Sequence, residues 1–250
     1  MLPTNPVSLA LIFSALLCVG FAKGGLAGLG MLAMPLMAMA FPPVEAAAIL
    51  MPVLIVQDAF SVWFYRKTWN RTIVMWVLPG ALLGIGAAAF FAAAASVENI
   101  LALLGVISIG FGLWRLWASH HDFEPRPFFK KHLPGVFFGF FSGFTSQIGH
   151  AGAPPLHMWL LPKKLPHREF VGTSSVLFAI INWAKVPAFV ALGAFSRESL
   201  ILAAVFIPVA SVATFAGVWV VNRVNGPRFY MFANIMLALV GAKLLWDALA

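Results

Sequence analysis

GFFSGFTSQIGHAGAPPL (Gly139–Leu156) and GFAKGGLAGLGMLAMPL (Gly20–Leu36) interrupt an oily chain in the same way, replacing bulky apolar residues with glycines, small residues and polar groups. The chain is 62% hydrophobic and 10% charged, and its mean hydropathy is +0.94. A soluble domain carries about a quarter charged residues, so too little polar surface exists to cover a water-facing globule. Several segments run about 18 residues or more almost without charge, as transmembrane helices do. Their apolar runs are continuous, whereas barrel strands alternate. In hydrocarbon every backbone N–H and C=O needs a partner, so non-helical backbone survives only where protein buries it or a watery cavity adjoins it. The two stretches therefore decide the fold: they predict helix breaks inside an all-α polytopic membrane protein.

Outward from them, the apolar segments are Val7–Ala22, Met31–Phe41, Val44–Tyr65, Thr72–Ala95, Ile100–Ala118, Pro134–Phe144, Ala153–Leu161, Arg168–Gly193, Arg197–Val221 and Pro227–Leu249. Met31–Phe41, Pro134–Phe144 and Ala153–Leu161 are too short to cross a core of about 30 Å at about 1.5 Å per residue. They flank the Gly-rich stretches and read as re-entrant or broken hairpins, and Val7–Ala22 nearly crosses. Basic loops mark the cytoplasmic side: Arg66, Lys67 and Arg71; Arg126, Lys130 and Lys131; Lys163, Lys164 and Arg168; Arg223 and Arg228. Ser96–Asn99, with Glu98 alone, and the Arg197–Glu198 pair face out. The Pro134–Leu161 unit then has both ends inside, and the Val7–Phe41 unit both ends outside, as are the two termini.

Each half is thus one hairpin followed by three crossings, an odd number, so the second half is expected upside down. The halves match in order. Gly20, Gly24, Gly30 and Pro35 fall without a gap on Gly139, Gly143, Gly149 and Pro154; after an insertion Glu45 falls on Glu169 and Asp58 on Asn182; Pro79 falls on Pro208, and Gly112 and Trp117 on Gly241 and Trp246. The organisation expected is two inverted-topology repeats, residues 1–118 and 134–250, joined by a cytoplasmic linker, 119–133. Interrupted helices at corresponding places in inverted repeats indicate a transporter whose site lies between the repeats near the midplane.

The formal charge of +8 reads as the positive-inside bias of loops, not as nucleic-acid binding. It leaves room for one or two buried cations serving an anionic substrate. Cys18 is alone, so an intramolecular disulfide or thiol–metal cluster is excluded. MLPTNP has no Lys or Arg, so the apolar run after it is read as retained, not as a signal peptide. His120, His121, His132, His150, His157 and His167 fit no zinc spacing, and no Ser/His/Asp or Walker pattern occurs. An enzyme is not expected, nor a metal or other cofactor. The partners expected are a small anion, the lipid bilayer and a coupling proton or ion, with a homo-oligomer left open.

Two helix N-termini, at Met31 and Ala153, follow the breaks and favour anions. For any single glycine, close helix packing explains as much; the two clusters together favour a cavity. Lys23, beside Gly24 and Gly25, is either a functional intramembrane cation or a side chain snorkelling from a break near the outer interface. His150 lies among Ser142, Thr145, Ser146 and Gln147, donors for an oxyanion beside an imidazole that titrates. In GTSSVLFAIINWAK (Gly172–Lys185), Ser174, Ser175, Asn182 and Lys185 share a face at about 100° per residue. The corresponding helix holds Gln57, Asp58 and Ser61. Asp58 and Lys185 either neutralise each other or act separately, Lys185 drawing an anion and Asp58 carrying a proton. Lys185 also has the option of snorkelling outward.

KGGLAGLGMLAMPL, SGFTSQIGHAGAPPL and GTSSVLFAIIN carry a resemblance covering Val7 to Leu249. The chain resembles the sulfite exporter family named for its TauE and SafE members, also called toluene sulfonate uptake permeases. That resemblance implies transport, often export, of small sulfur-containing anions such as sulfite or organosulfonates across the bacterial cytoplasmic membrane. By position, the family's Gly-rich loops fall on Lys23–Gly30 and Ser142–Gly152, and its Gly-Thr-Ser helix start on Gly172–Ser174. The chain departs from the family's glycine runs at Gln147, His150 and Ala151, and Lys23 is a charged intrusion. The expectation is a secondary transporter whose anion is held by Lys23, Gly24, Gly25, Gln147, His150, Thr173, Ser174, Ser175, Asn182 and Lys185, with proton coupling through Asp58 or His150. A passive anion channel, or a carrier of another small anion such as a carboxylate, is the alternative.

Overall fold

The computed structural model describes residues 3, 5–26, 29–119, 131–220 and 226–250. Its helices are α1 (Pro6–Lys23), α2 (Gly30–Ala38), α3 (Pro43–Tyr65), α4 (Arg71–Ala94), α5 (Val97–Ser119), α6 (Pro134–Gly149), α7 (Ala153–Leu160), α8 (His167–Ala191), α9 (Arg197–Val220) and α10 (Gly226–Leu249), with a 3-10 turn, Leu161–Lys163, after α7. Starts are set locally: Pro6, Pro43 and Pro134 occupy first turns, where the missing N–H costs nothing, and the Asn70 side chain accepts the Ile73 N–H at 3.1 Å. Among the described residues, seven helices (α1, α3, α4, α5, α8, α9 and α10) are long and apolar enough to cross a membrane. The chain is an all-α polytopic membrane protein.

The breaks are shorter than the sequence suggests. α6 runs to Gly149, so most of Gly139–Leu156 is helical and the second break is only His150–Gly152. α1 runs to Lys23 and α2 begins at Gly30. The glycines of α6 serve packing. Gly139 and Gly143 lie against the backbone of Val77 and Ala81, while Gly80 and Gly84 of α4 lie against Val136 and Phe140. Lipid tails give helices no hydrophobic reason to associate, so close backbone approach through small residues binds α4 to α6. Gly20 does the same for α1 against Ala210 and Ala213 of α9, and Gly105 for α5 against Gly241 of α10.

Several of the main packing pairs come in counterparts, α2–α10 being an exception. Exchanging the halves in order turns the α1–α9 contact into α6–α4, α3–α9 into α8–α4 and α1–α2 into α6–α7, and leaves α3–α8 and α5–α10 as themselves. Gly105 against Gly241 and Asn234 against Gly112 are likewise counterparts when Gly112 is matched to Gly241. Gly20 packs on Ala210 and Ala213, which match Ala81 and Gly84; the residue against Ala81 is Gly143. Gly20 on Ala210 and Ala213 and Gly143 on Ala81 thus make similar contacts. Gly135, Gly139 and Gly143 recur every fourth residue, so sequence matching slides by one helical turn without penalty. The linker at 120–130, including His120 and His121, and the side chains of Arg223 and Arg228 lie outside the described residues.

The α4–α6 contact should be intolerant of bulk. Gly143→Val would place a Cβ against the Ala81 backbone and should cost about 1–3 kcal/mol or more, seen as a lower melting temperature in detergent. Gly86→Ala, where a Cβ meets nothing within 4 Å, should melt like the parent.

Candidate functional site

Both breaks border one cavity of about 120 Å³, room for a few waters or one small solute. Lys23, Gly25, Gly30 and Met31 of the first hairpin and Ser146, His150 and Ala153 of the second line it. α3 adds Leu50 and Leu54, and α8 adds Ser174, Ser175, Phe178 and Asn182. The lining is thus mostly aliphatic and aromatic, with hydroxyls, an amide, an amine and two imidazoles among it. Gly25 takes φ 124°, which a glycine adopts without strain. His150, at φ 52°, closes α6 in the left-handed region that few non-glycine residues enter.

Asp58 of α3 is 1% exposed. One carboxylate oxygen meets the Lys23 ammonium and the other accepts from Asn182 Nδ2 at 2.5 Å. Lys185 is fully buried and meets three acceptors: the Ser146 carbonyl at 3.0 Å, the Ser146 hydroxyl at 3.1 Å and His150 Nδ1 at 2.8 Å. Three N–H groups meet three neutral acceptors, the full capacity of an ammonium. The imidazole tautomer follows: the Ala47 carbonyl, 3.0 Å from Nε2, can only accept, so Nε2 carries the hydrogen and Nδ1 accepts from Lys185. The ring also stacks on Phe189, centroids 6.1 Å apart. Two amines against one carboxylate leave this cluster one formal positive charge.

Of the alternatives for Asp58 and Lys185, mutual neutralisation and outward snorkelling are not seen: Asp58 pairs with Lys23, and Lys185, fully buried, bonds neutral acceptors. Lys23 does not reach out as a free snorkelling cation either, since its ammonium meets buried Asp58. Lys23 ends an 18-residue helix of about 27 Å, and its carbonyl accepts from Ser61 at 3.4 Å, one turn from the end of α3 that bears Arg66 and Lys67. Lys23, Gly25, His150, Ser174, Ser175 and Asn182 line the cavity as a group, and Ser174 Oγ is a buried hydroxyl with no protein partner.

Gly24, Gln147, Thr173, Lys185 and Asp58 do not line it. Gly24 packs against Gly217 of α9. The Thr173 hydroxyl accepts the Asn70 N–H at 2.9 Å and ties α8 to the α3–α4 loop. Gln147 borders a second, smaller cavity of about 30 Å³ with Ala47, Ile148 and Phe189, on the far side of His150. A stripe read at 100° per residue ranks positions by angle, and these residues differ by depth along the helix. Ser146, named among the oxyanion donors around His150, lines the cavity, and so does His157, which the sequence considered only as a metal ligand.

A family model described as Sulfite exporter TauE/SafE matches residues 12–244. No curated protein matches the chain, and no solved structure does.

Breaking the Asp58 pair should be costly and repairable. Lys23→Met leaves a buried carboxylate with only Asn182, a loss of about 3–5 kcal/mol. Adding Asp58→Asn should recover most of it, a double-mutant cycle read by thermal melting in detergent.

Proposed function

The chain belongs to the sulfite exporter TauE/SafE family, and from that membership we propose that it is a secondary transporter carrying a small sulfur-containing anion, sulfite or an organosulfonate, out across the bacterial cytoplasmic membrane. The observation that carries the reading is the excess positive charge: Lys23 and Lys185 against Asp58 alone, around a cavity bordered by both helix breaks. A buried uncompensated cation is costly in a membrane and is expected at a substrate path. An anion in the cavity would offset it.

Each group has a stated role. Lys23 is the direct charge partner. Ser174, Ser175 and Asn182 are donors from α8. Ser146 accepts from Lys185, which leaves its own O–H, polarised by the ammonium, to donate to the anion. His150 holds Lys185 in place and closes the cavity on the side of Ala47 and Phe189. Gln147 and Thr173 fall outside this set.

We further propose that the halves are inverted repeats that rock about the site. The counterpart packing pairs support this. So do the polar contacts of the hairpins: with Ser61 matched to Lys185 and Lys23 to Ser146, the bond from Ser61 to the Lys23 carbonyl is the counterpart of that from Lys185 to the Ser146 carbonyl. Asp58 and Asn182, matched to each other, are in direct contact, as residues on a shared two-fold axis must be.

Purified protein in liposomes should take up labelled sulfite saturably, and Asn182→Ala should lower the rate at least about tenfold, the loss expected for a donor bonded to a charge. Flux that rises linearly with concentration, unaltered by the substitution, would sink the carrier reading.

A further inference from the structure

Lys23 lines the cavity, yet its charge is already taken by Asp58, which does not. An anion reaching Lys23 therefore meets a neutralised pair. Resting on the carrier reading above, we propose that anion binding is coupled to protonation of Asp58, because substrate and carboxylate compete for the same ammonium. The proton adds to an Asp58 carboxylate oxygen, the ion pair to Lys23 opens, and the Lys23 ammonium, still charged, bonds the anion. One anion and one proton are taken up together; on the other side the anion leaves, Asp58 loses its proton, and the pair with Lys23 re-forms. A monoanion then crosses in the same direction as a proton, without net charge.

Asn182 makes the exchange two-sided. It lines the cavity and commits its NH2 to Asp58 Oδ2 at 2.5 Å. A protonated Asp58 no longer needs that donor and has a hydrogen to give. Turning the Asn182 amide end for end lets its carbonyl accept the new O–H and swings its NH2 toward the anion. Protonation thereby releases two donors to the cavity, one charged and one neutral, from a single event.

The neighbourhood singles out Asp58 for this part. From α1 it faces Lys23, and from α8 Asn182 and, one turn on, Lys185. Behind Lys185 stands His150, at the end of α6, whose two ring nitrogens are engaged by Ala47 and Lys185. On α3 itself the neighbours are Gln57, bonded to the Ala210 carbonyl and the Thr214 hydroxyl of α9, and Ser61. His157 of α7 lines the cavity against Phe170. α2 carries no titratable residue, the acidic and basic residues of α9 sit in its first turn, and α5 has Glu98 in its first turn and Arg115 one turn from its end.

The test uses methanesulfonate, which stays a monoanion at all working pH values, whereas sulfite passes between dianion and hydrogensulfite near neutrality. By linkage, a group that must gain a proton for binding makes affinity rise as pH falls. Parent protein in detergent should bind methanesulfonate about tenfold more tightly per pH unit lost at the steepest part of the curve, and in weak buffer should take up one proton per anion bound. In Asp58→Asn the affinity should no longer follow pH. A pH slope retained by the variant, or anion binding to the parent with no proton uptake, would overturn the coupling and leave the anion site standing. If the variant does not fold, proton uptake by the parent decides. Absence of both methanesulfonate binding and sulfite flux would instead overturn the carrier reading beneath it.

Discussion

A peptide group inside hydrocarbon has no water to bond with, and the whole arrangement around the cavity answers that constraint. Where α6 stops, the Ser142 hydroxyl donates to the Gly152 carbonyl at 2.7 Å, and the Thr145 hydroxyl lies 2.8 Å from the Ala151 carbonyl. Lys185 reaches the Ser146 carbonyl, and Ser61 the Lys23 carbonyl. Much of the polarity crowded into the two stretches therefore satisfies backbone. What remains uncommitted at the cavity wall, such as the Ser174 hydroxyl, is available to a solute. Sorting the polar residues by what they already bond separates structural groups from candidate ligands more sharply than their chemistry does.

Close helix approach follows from the same solvent. With no hydrophobic drive between helices, contact area must come from fit, and fit comes from glycine and alanine ridges. α4 with α6, α5 with α10 and α1 with α9 meet backbone to backbone at such positions. The α1–α9 and α4–α6 pairs fix the two helices that lead into the breaks, α1 within a turn of its end at Gly20 and α6 at Gly139 and Gly143, while the breaks border the cavity. The elements that carry Lys23 and His150 are thus fixed by packing on one face and border the cavity on another.

Electrostatics then give the site its sign. Asp58 alone among the cluster is acidic, and it is shared by Lys23 and Asn182, one from each half. Lys185 rests on neutral oxygen and nitrogen acceptors. Such a cluster is favourable only with an anion nearby or with hydration from the cavity, which links the buried charges to the family's transport of anions.

The sequence by itself determined the class of fold, the number and order of the long apolar segments, the two hairpins and the set of intramembrane polar residues, because hydropathy and the bilayer's thickness constrain these residue by residue. It also drew Asp58 and Asn182 together as expected counterparts, and the two are in direct contact. Only the tertiary structure decided which partner each charge takes. Lys23 and Asp58 are 35 positions apart and lie on helices whose rotation and depth are set by glycine packing elsewhere. The same applies to Gln147 and Thr173: their residue types suit an anion site, but depth along a helix depends on where neighbouring backbones touch. The hairpin register was ambiguous for a related reason. Glycines every fourth residue present the same face to a neighbour at each turn, and only where the backbones of α4 and α9 meet them distinguishes one from the next.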